Sequence, residues 1–206
     1  MTKANDQNRW TPPVTSSARG RTSRAKLIAA AVELIPEVGW NAVTTRLVAA
    51  RAEVRPGLVH YHFHSLEALL RAAVDSALTG VLDGPLSAMT AAANPAEGVT
   101  AALGAMDAHS GEDPASVLFA EAYLAASRDP ELHTTMSRIL LDVRSAMTVW
   151  LTDHGTPQPE AVAELLCAFL DGIVLHRALI PVPGPRAYAE PLRRLLSAPG
   201  GEEDAR

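Results

Sequence analysis

Residues 44–70, TTRLVAARAEVRPGLVHYHFHSLEALL, constrain this chain more than any other stretch, because two short helices, the turn between them and the cap of a third are spelled out there. Thr44 or Thr45 supplies a hydroxyl able to cap a helix that turns Leu47, Val48 and Ala50 inward, and Ala52 to Val54 leave room only for a sharp turn. Pro56 starts the next helix, since its missing N–H costs nothing in a first turn. Gly57 beside it keeps bulk low where a backbone can approach phosphates, and Val59 and Phe63, four apart, bury one face. The other face carries Arg55, Leu58, His60, Tyr61 and His62. Guanidinium, imidazole and phenol donors with one apolar contact are the groups that reach base edges, phosphates and thymine methyls when a helix end enters a major groove. The segment predicts a helix-turn-helix that reads double-stranded DNA.

The net charge of −5 argues against a polyanion partner until it is divided along the chain. Residues 1–64 hold nine Lys or Arg against four acids, while the remaining 142 residues hold nine against 19. The basic end is the DNA-binding end, and the acidic remainder fixes which way the molecule docks.

Residues Lys26 to Leu70 resemble the DNA-binding domain of TetR-type transcriptional regulators. The likeness rests on an apolar first helix AAAVELIPEVGW, the TT pair opening the second helix, the turn AEV, then GLVHYHF, and finally SLEALL, in that order and spacing. It covers the N-terminal third of the chain. The resemblance implies that Arg55, Pro56, Leu58 and His60 face bases and that Thr45, Tyr61 and His62 hold phosphates. Four positions depart from the family pattern: Glu53 stands where the turn glycine falls, Arg55 where a serine caps the recognition helix, His60 at the first of two adjacent aromatics, and Leu66 at the helix-four lysine. Arg55 cannot accept from helix N–H groups, so its use there is toward guanine or phosphate.

Residues 1–22 lack periodicity and predict a weakly ordered arm, whose Arg19, Arg21 and Arg24 either reach a minor groove or stay solvated. The DNA-binding domain spans 23–64, with a first helix from Ser23 to Val38 loosened at Pro36 and ended by Gly39. From residue 65 the pattern is helical throughout, with no period-two strand segment. A fourth helix runs from Ser65 to Leu82. Asn94-Pro95, Asp113-Pro114 and Asp129-Pro130 each place a capping side chain before a first-turn proline. Pro159 opens a helix that is apolar on nearly every side from Ala161 to Ile180, and such a helix must be covered all round. A second copy of the chain is the expected cover, against this helix and the one after Pro185; the family resemblance implies a four-helix contact at the same place. Residues 65–197 thus form a ligand-binding and dimerisation domain, followed by a short acidic tail at 198–206.

Within these apolar helices Met106, His109, Phe119, Tyr123, Met147, Trp150, Asp171 and His176 are polar or polarizable, and they are the candidate lining of a small-molecule pocket. Buried Asp171 and His176 each need a partner, which favours a pocket over a dry core. Low aromatic content and few buried charges point to a mostly apolar, neutral or weakly acidic ligand. No G-x-S-x-G, phosphate-binding glycine loop, H-E-x-x-H or paired cysteine is present, so no catalytic residues and no cofactor are expected, and Cys167 reads as a small core residue. His60, His62 and His64 crowd within five residues, but helical spacing puts only two of them on one face, so no metal is expected there. The combined expectation is an all-α, homodimeric, cytoplasmic regulator with no membrane span: a repressor on a palindromic operator, released by a small effector. A ligand-independent activator or architectural DNA binder, or a helical metal-binding or enzyme-like protein, stand as the alternatives.

Overall fold

Side chains that take up orphan N–H groups set most helix starts in this chain, and the computed structural model, which describes residues 16–109 and 111–196, has helices and no strand among those residues. The helices are α1 (Ser16–Val38), α2 (Thr45–Arg51), α3 (Gly57–Phe63), α4 (Leu66–Thr90), α5 (Pro95–Ala105), α6 (Pro114–Ala126), α7 (Pro130–Asp153), α8 (Pro159–Arg177) and α9 (Ala189–Leu196). Asn94 accepts from the Glu97 N–H at 3.0 Å, Asp113 from Ser116 at 3.2 Å, and Asp129 from Glu131 and Leu132 at 2.9 and 3.0 Å. The three cap-and-proline starts thus stand where the sequence puts them.

Two apolar cores hold the helices together. One joins Leu27 and Ile35 of α1, Val48 of α2 and Val59 of α3 to Leu69 and Val74 of α4, and continues into Leu118 of α6 and Leu132 of α7. The other gathers Met89, Val99, Leu103, Met147, Trp150, Leu151, Leu166 and Leu192. The first core crosses the boundary drawn at residues 64 and 65: the first half of α4 and a face of α6 pack directly onto the DNA-binding domain, with α7 behind them.

Several expectations are corrected. The first helix begins at Ser16, not Ser23, because SSARGRTS contains good helix formers and only Gly20 as a weak breaker; Arg21 and Arg24 therefore project from a helix. The remainder of the arm, residues 1–15, and the tail at 198–206 lie outside the described residues. In α2 the buried residues are Val48 and Ala49, continued by Ala52 in the turn, while Leu47 and Ala50 fall on the outer side of this two-turn helix. α4 runs through Pro85 to Thr90, eight residues beyond Leu82; a proline there deletes one backbone bond, and burying Met89 against α5 and α7 offsets the loss. α8 stops at Arg177, short of Ile180. Finally, α9 turns its buried Leu192 onto α5 in the second core.

Candidate nucleic-acid interface and ligand cavity

The helix-turn-helix owes its shape to a few local interactions. Thr44, not Thr45, caps α2, its hydroxyl accepting from the Leu47 N–H at 3.2 Å. The turn closes through Val54 N–H to the Ala49 carbonyl at 3.0 Å, and Glu53 sits at φ +54°, a left-handed conformation unfavourable for a side chain, which explains the family's glycine at this place. Pro56, at φ −53°, begins the next turn, and Leu58 N–H returns to the Arg55 carbonyl at 2.9 Å. Val59 and Phe63 are buried and fasten α3 onto α1 and α4.

What α3 leaves outside matches the expectation for most residues. Arg55, Pro56, Gly57 and His60 are exposed, Tyr61 is 76% exposed, and Thr45 and Leu58 are half-buried at the edge. A side chain at Gly57 would meet nothing within 4 Å, so the fold itself does not demand glycine there. His62 departs from the rest: it is half-buried, its ring packs edge-on to Tyr61 at 4.9 Å, and its Nε2 is enclosed without a partner among the described residues, which turns that nitrogen away from any phosphate outside. His60 and His64 are exposed, and no group of three or more His, Cys, Asp or Glu gathers among the described residues.

Charge pairing separates structural from available cations. Arg51 forks onto Glu37 and reaches Glu33 at 3.1 Å, tying α2 to α1, and these contacts hold the Glu37 carboxyl below its usual range. Arg55 and Arg46 are exposed and form no ion pair with a described residue. Arg46 is absent from the sequence-derived list; its only signal was its place beside Thr45 at the helix start. Arg24 lies over the Phe63 ring, 4.9 Å from its centre.

A cavity of about 70 Å³ lies among α4, α6, α7, α8 and the turn after α5. Leu78, Leu82, Leu86, Phe119, Leu140 and Leu170 form much of its apolar wall, with His109, Ser116, Cys167 and Asp171 as its polar members. Of the eight residues expected to line it, Met106, His109, Phe119, Met147 and Asp171 do. Tyr123 lies one turn beyond Phe119 on α6 and is 52% exposed; His176 is exposed on α8. Trp150 is buried in the second core, its ring 4.4 Å from that of His154 and so close to Gly98 that a Cβ there would sit 2.4 Å from it. Of the α4 wall, Pro85 and Leu86 lie beyond the expected helix end at Leu82, while Leu78, Val81 and Leu82 lie within it. On α8 the sequence reading names only Asp171; Cys167, expected to be a small core residue, and Leu170 and Val174 join it in the wall at three- and four-residue spacing.

The polar groups of the cavity, and Asp113 behind Ser116 and His109, are in different electrostatic states. Burial raises the Asp113 carboxyl, but hydrogen bonds from the Ser116 hydroxyl (2.6 Å), the Ser116 N–H and His109 Nδ1 (3.3 Å) outweigh it and bring the pKa to about 2. Burial pushes the Asp171 carboxyl up to about 6, with no donor or cation among the described residues offsetting it. Burial first, and the Asp171 charge second, push the Cys167 thiol up to about 11; it donates to Met147 Sδ at 3.5 Å. A thiol so held is not a nucleophile at neutral pH.

Two contacts connect this region to the DNA-facing end. On α6, beyond the cavity residues Ser116 and Phe119, Glu121 accepts from the Trp40 backbone N–H at 2.8 Å. On α4, Arg71 pairs with Asp129 at 3.2 Å and with Glu131 at 2.5 Å, at the start of α7. α4 is therefore not the sole element spanning the two ends, because α6 touches both as well.

Residues 27–73 match the model for bacterial regulatory proteins of the tetR family, and residues 90–198 match that for the Tetracyclin repressor-like C-terminal domain. The chain is 32% identical over 164 residues to the HTH-type transcriptional regulator BetI of Rhizobium meliloti (strain 1021), covering 78% of this chain and 80% of that protein. It also resembles the crystal structure of the transcriptional regulator SCO7518 of Streptomyces coelicolor A3(2), with a TM-score of 0.70, 30% identity and coverage of 85% and 99%. The multidrug binding protein EbrR complexed with imidazole gives a TM-score of 0.68 at 30% identity, covering 92% of this chain and all of that one. EbrR with malachite green gives 0.64 at 26%, covering 84% and 98%. No helix of the described residues is long and apolar enough to cross a membrane.

Proposed function

This chain belongs to the TetR family of transcriptional regulators, and on that premise we propose that it is a repressor, binding a palindromic operator as a homodimer and released by a small, mostly apolar effector in the cavity. One observation carries the reading: α4 and α6, which wall the cavity, are also packed on the DNA-binding domain. A ligand that favours one spacing of these helices shifts the DNA-binding end by its differential affinity for the two states. EbrR, solved with imidazole and with malachite green, supports a ligand in this fold.

At the DNA, Arg55 and His60 are assigned to base edges with Pro56 and Leu58 as apolar contacts beside them, and Thr45, Tyr61 and the Gly57 backbone N–H to phosphates. On a palindrome selected from random duplexes, Arg55→Ala or His60→Ala is expected to cost about 1–3 kcal/mol and to change base preference. Tyr61→Phe weakens binding without relaxing it. Log affinity should fall with log salt by roughly 0.9 per phosphate neutralised. Equal affinity for the selected palindrome and a scrambled duplex in a mobility-shift titration refutes the assignment.

The dimer surface is assigned to α7 and α8, which pack together and leave Leu141, Val149 and Leu165 about half exposed. Apolar side chains on one face of two adjacent helices are suited to a self-complementary, twofold contact. Leu165→Glu is expected to give a folded monomer by sedimentation and to lose operator affinity with the dimer, since one half-site offers too few contacts. A dimer undiminished at micromolar concentration overturns this placement.

A further inference from the structure

We propose that the cavity selects a cationic apolar ligand, an organic ammonium ion whose charge is neutralised by the Asp171 carboxylate while its hydrocarbon fills the wall; the inference rests on the effector reading above and narrows it. The argument is an inventory of the cavity's polar groups. The Ser116 hydroxyl and His109 Nδ1 are committed to Asp113, and the Cys167 thiol to Met147. Asp171 is left, and no Lys or Arg lines the cavity with it. The guanidinium of Arg144, whose charge acts on the neighbouring Cys167, is spread toward Glu164 at 3.9 Å and half exposed to solvent. An acid drawn out of water into apolar walls, with no donor or cation bonded to it among the described residues, is a costly arrangement.

The occupant's charge follows from that cost. An anionic ligand would add like charge beside Asp171, and a neutral one would strip its remaining water without replacing it. A cation cancels the penalty, and the ring of Phe119 in the same wall offers it a second, weaker attraction. The neutral or weakly acidic ligand expected from composition is thereby replaced, because composition counts charges without showing which of them stand unpaired. A cavity of about 70 Å³ suits a compact head group, with larger substituents leaving toward solvent between the helices.

Benzyltrimethylammonium and neopentylbenzene form a test pair of nearly equal shape differing by one charge. Calorimetry on the full chain at pH 7.5 is expected to show the cation bound about tenfold or more tightly than the hydrocarbon. Asp171→Asn should erase that preference, Asp171→Glu should keep it, and circular dichroism melts confirm that each variant is folded. Equal binding of the two probes to the native chain, an unchanged preference in Asp171→Asn, or binding of neither probe overturns the inference. Operator release is scored separately with the same cation. Binding through Asp171 that leaves DNA affinity unchanged sinks the effector reading and leaves the charge selectivity standing.

Discussion

Trp150→Ala is expected to cost about 3–5 kcal/mol of stability, because the ring it removes is a centre of the second core and not part of a ligand site. The indole is only 7% exposed, packed with Met89, Leu103 and Leu151, and flanked by His154, whose Nδ1 lies 2.7 Å from the Trp150 carbonyl oxygen. Gly98 has no side chain where the ring passes, so the two positions are fitted to one another. Tyr123→Ala, a substitution of similar size on the exposed side of α6, is expected to change stability by less than about 1 kcal/mol. Urea unfolding of both variants decides the matter. Comparable losses at the two positions, or the larger loss at Tyr123, would place the core wrongly.

The contrast between those two aromatics marks how far the sequence could be read. Where a single local interaction decides the outcome, the reading was accurate: the caps at Ser65, Asn94, Asp113 and Asp129, the end of α3 at Phe63, and the inward pair Val59 and Phe63 all depend on neighbours within four residues. Apolar periodicity says that Trp150 and Met147 point inward. It does not say that Met147 reaches a cavity while Trp150, three residues on, closes against Gly98, since that depends on a glycine 52 positions away. The fourth helix, expected to end at Leu82, continues through Pro85, and tertiary burial of Met89 carries α4 past that proline. His62 carries the right donor chemistry for phosphate, but the helix rotates its Nε2 toward the protein. Glu121 gave no signal at all: a lone acid on an apolar helix acquires its role only when the turn at Trp40 is folded against it.

Asp171→Asn is expected to stabilise the chain at neutral pH by up to about 3 kcal/mol, since burial lifts this carboxyl from 3.8 to about 6 and each unit is worth about 1.4 kcal/mol. The sign follows from proton binding. A carboxyl with a raised folded pKa keeps its proton more tightly in the folded state than in the unfolded one, so raising the pH through this window favours unfolding. The native chain therefore bears no penalty from Asp171 below about pH 4, loses stability between about pH 4 and 6, and bears the full cost above. Asparagine removes the charge at nearly constant volume. Melting temperatures of the two proteins should coincide at pH 4 and separate as the pH rises to 7. Of the groups around Asp171, Asp113 titrates near 2 and Cys167 near 11, outside the window, while His109, Arg144 and Glu164 are common to both proteins and largely cancel in the difference. A difference that does not vary between pH 4 and 7 would mean that Asp171 is either hydrated or already paired, and the electrostatic account of the cavity would fall. A bound organic cation supplies the missing charge, so saturating benzyltrimethylammonium should bring the native melting curve at pH 7 up to that of Asp171→Asn or past it.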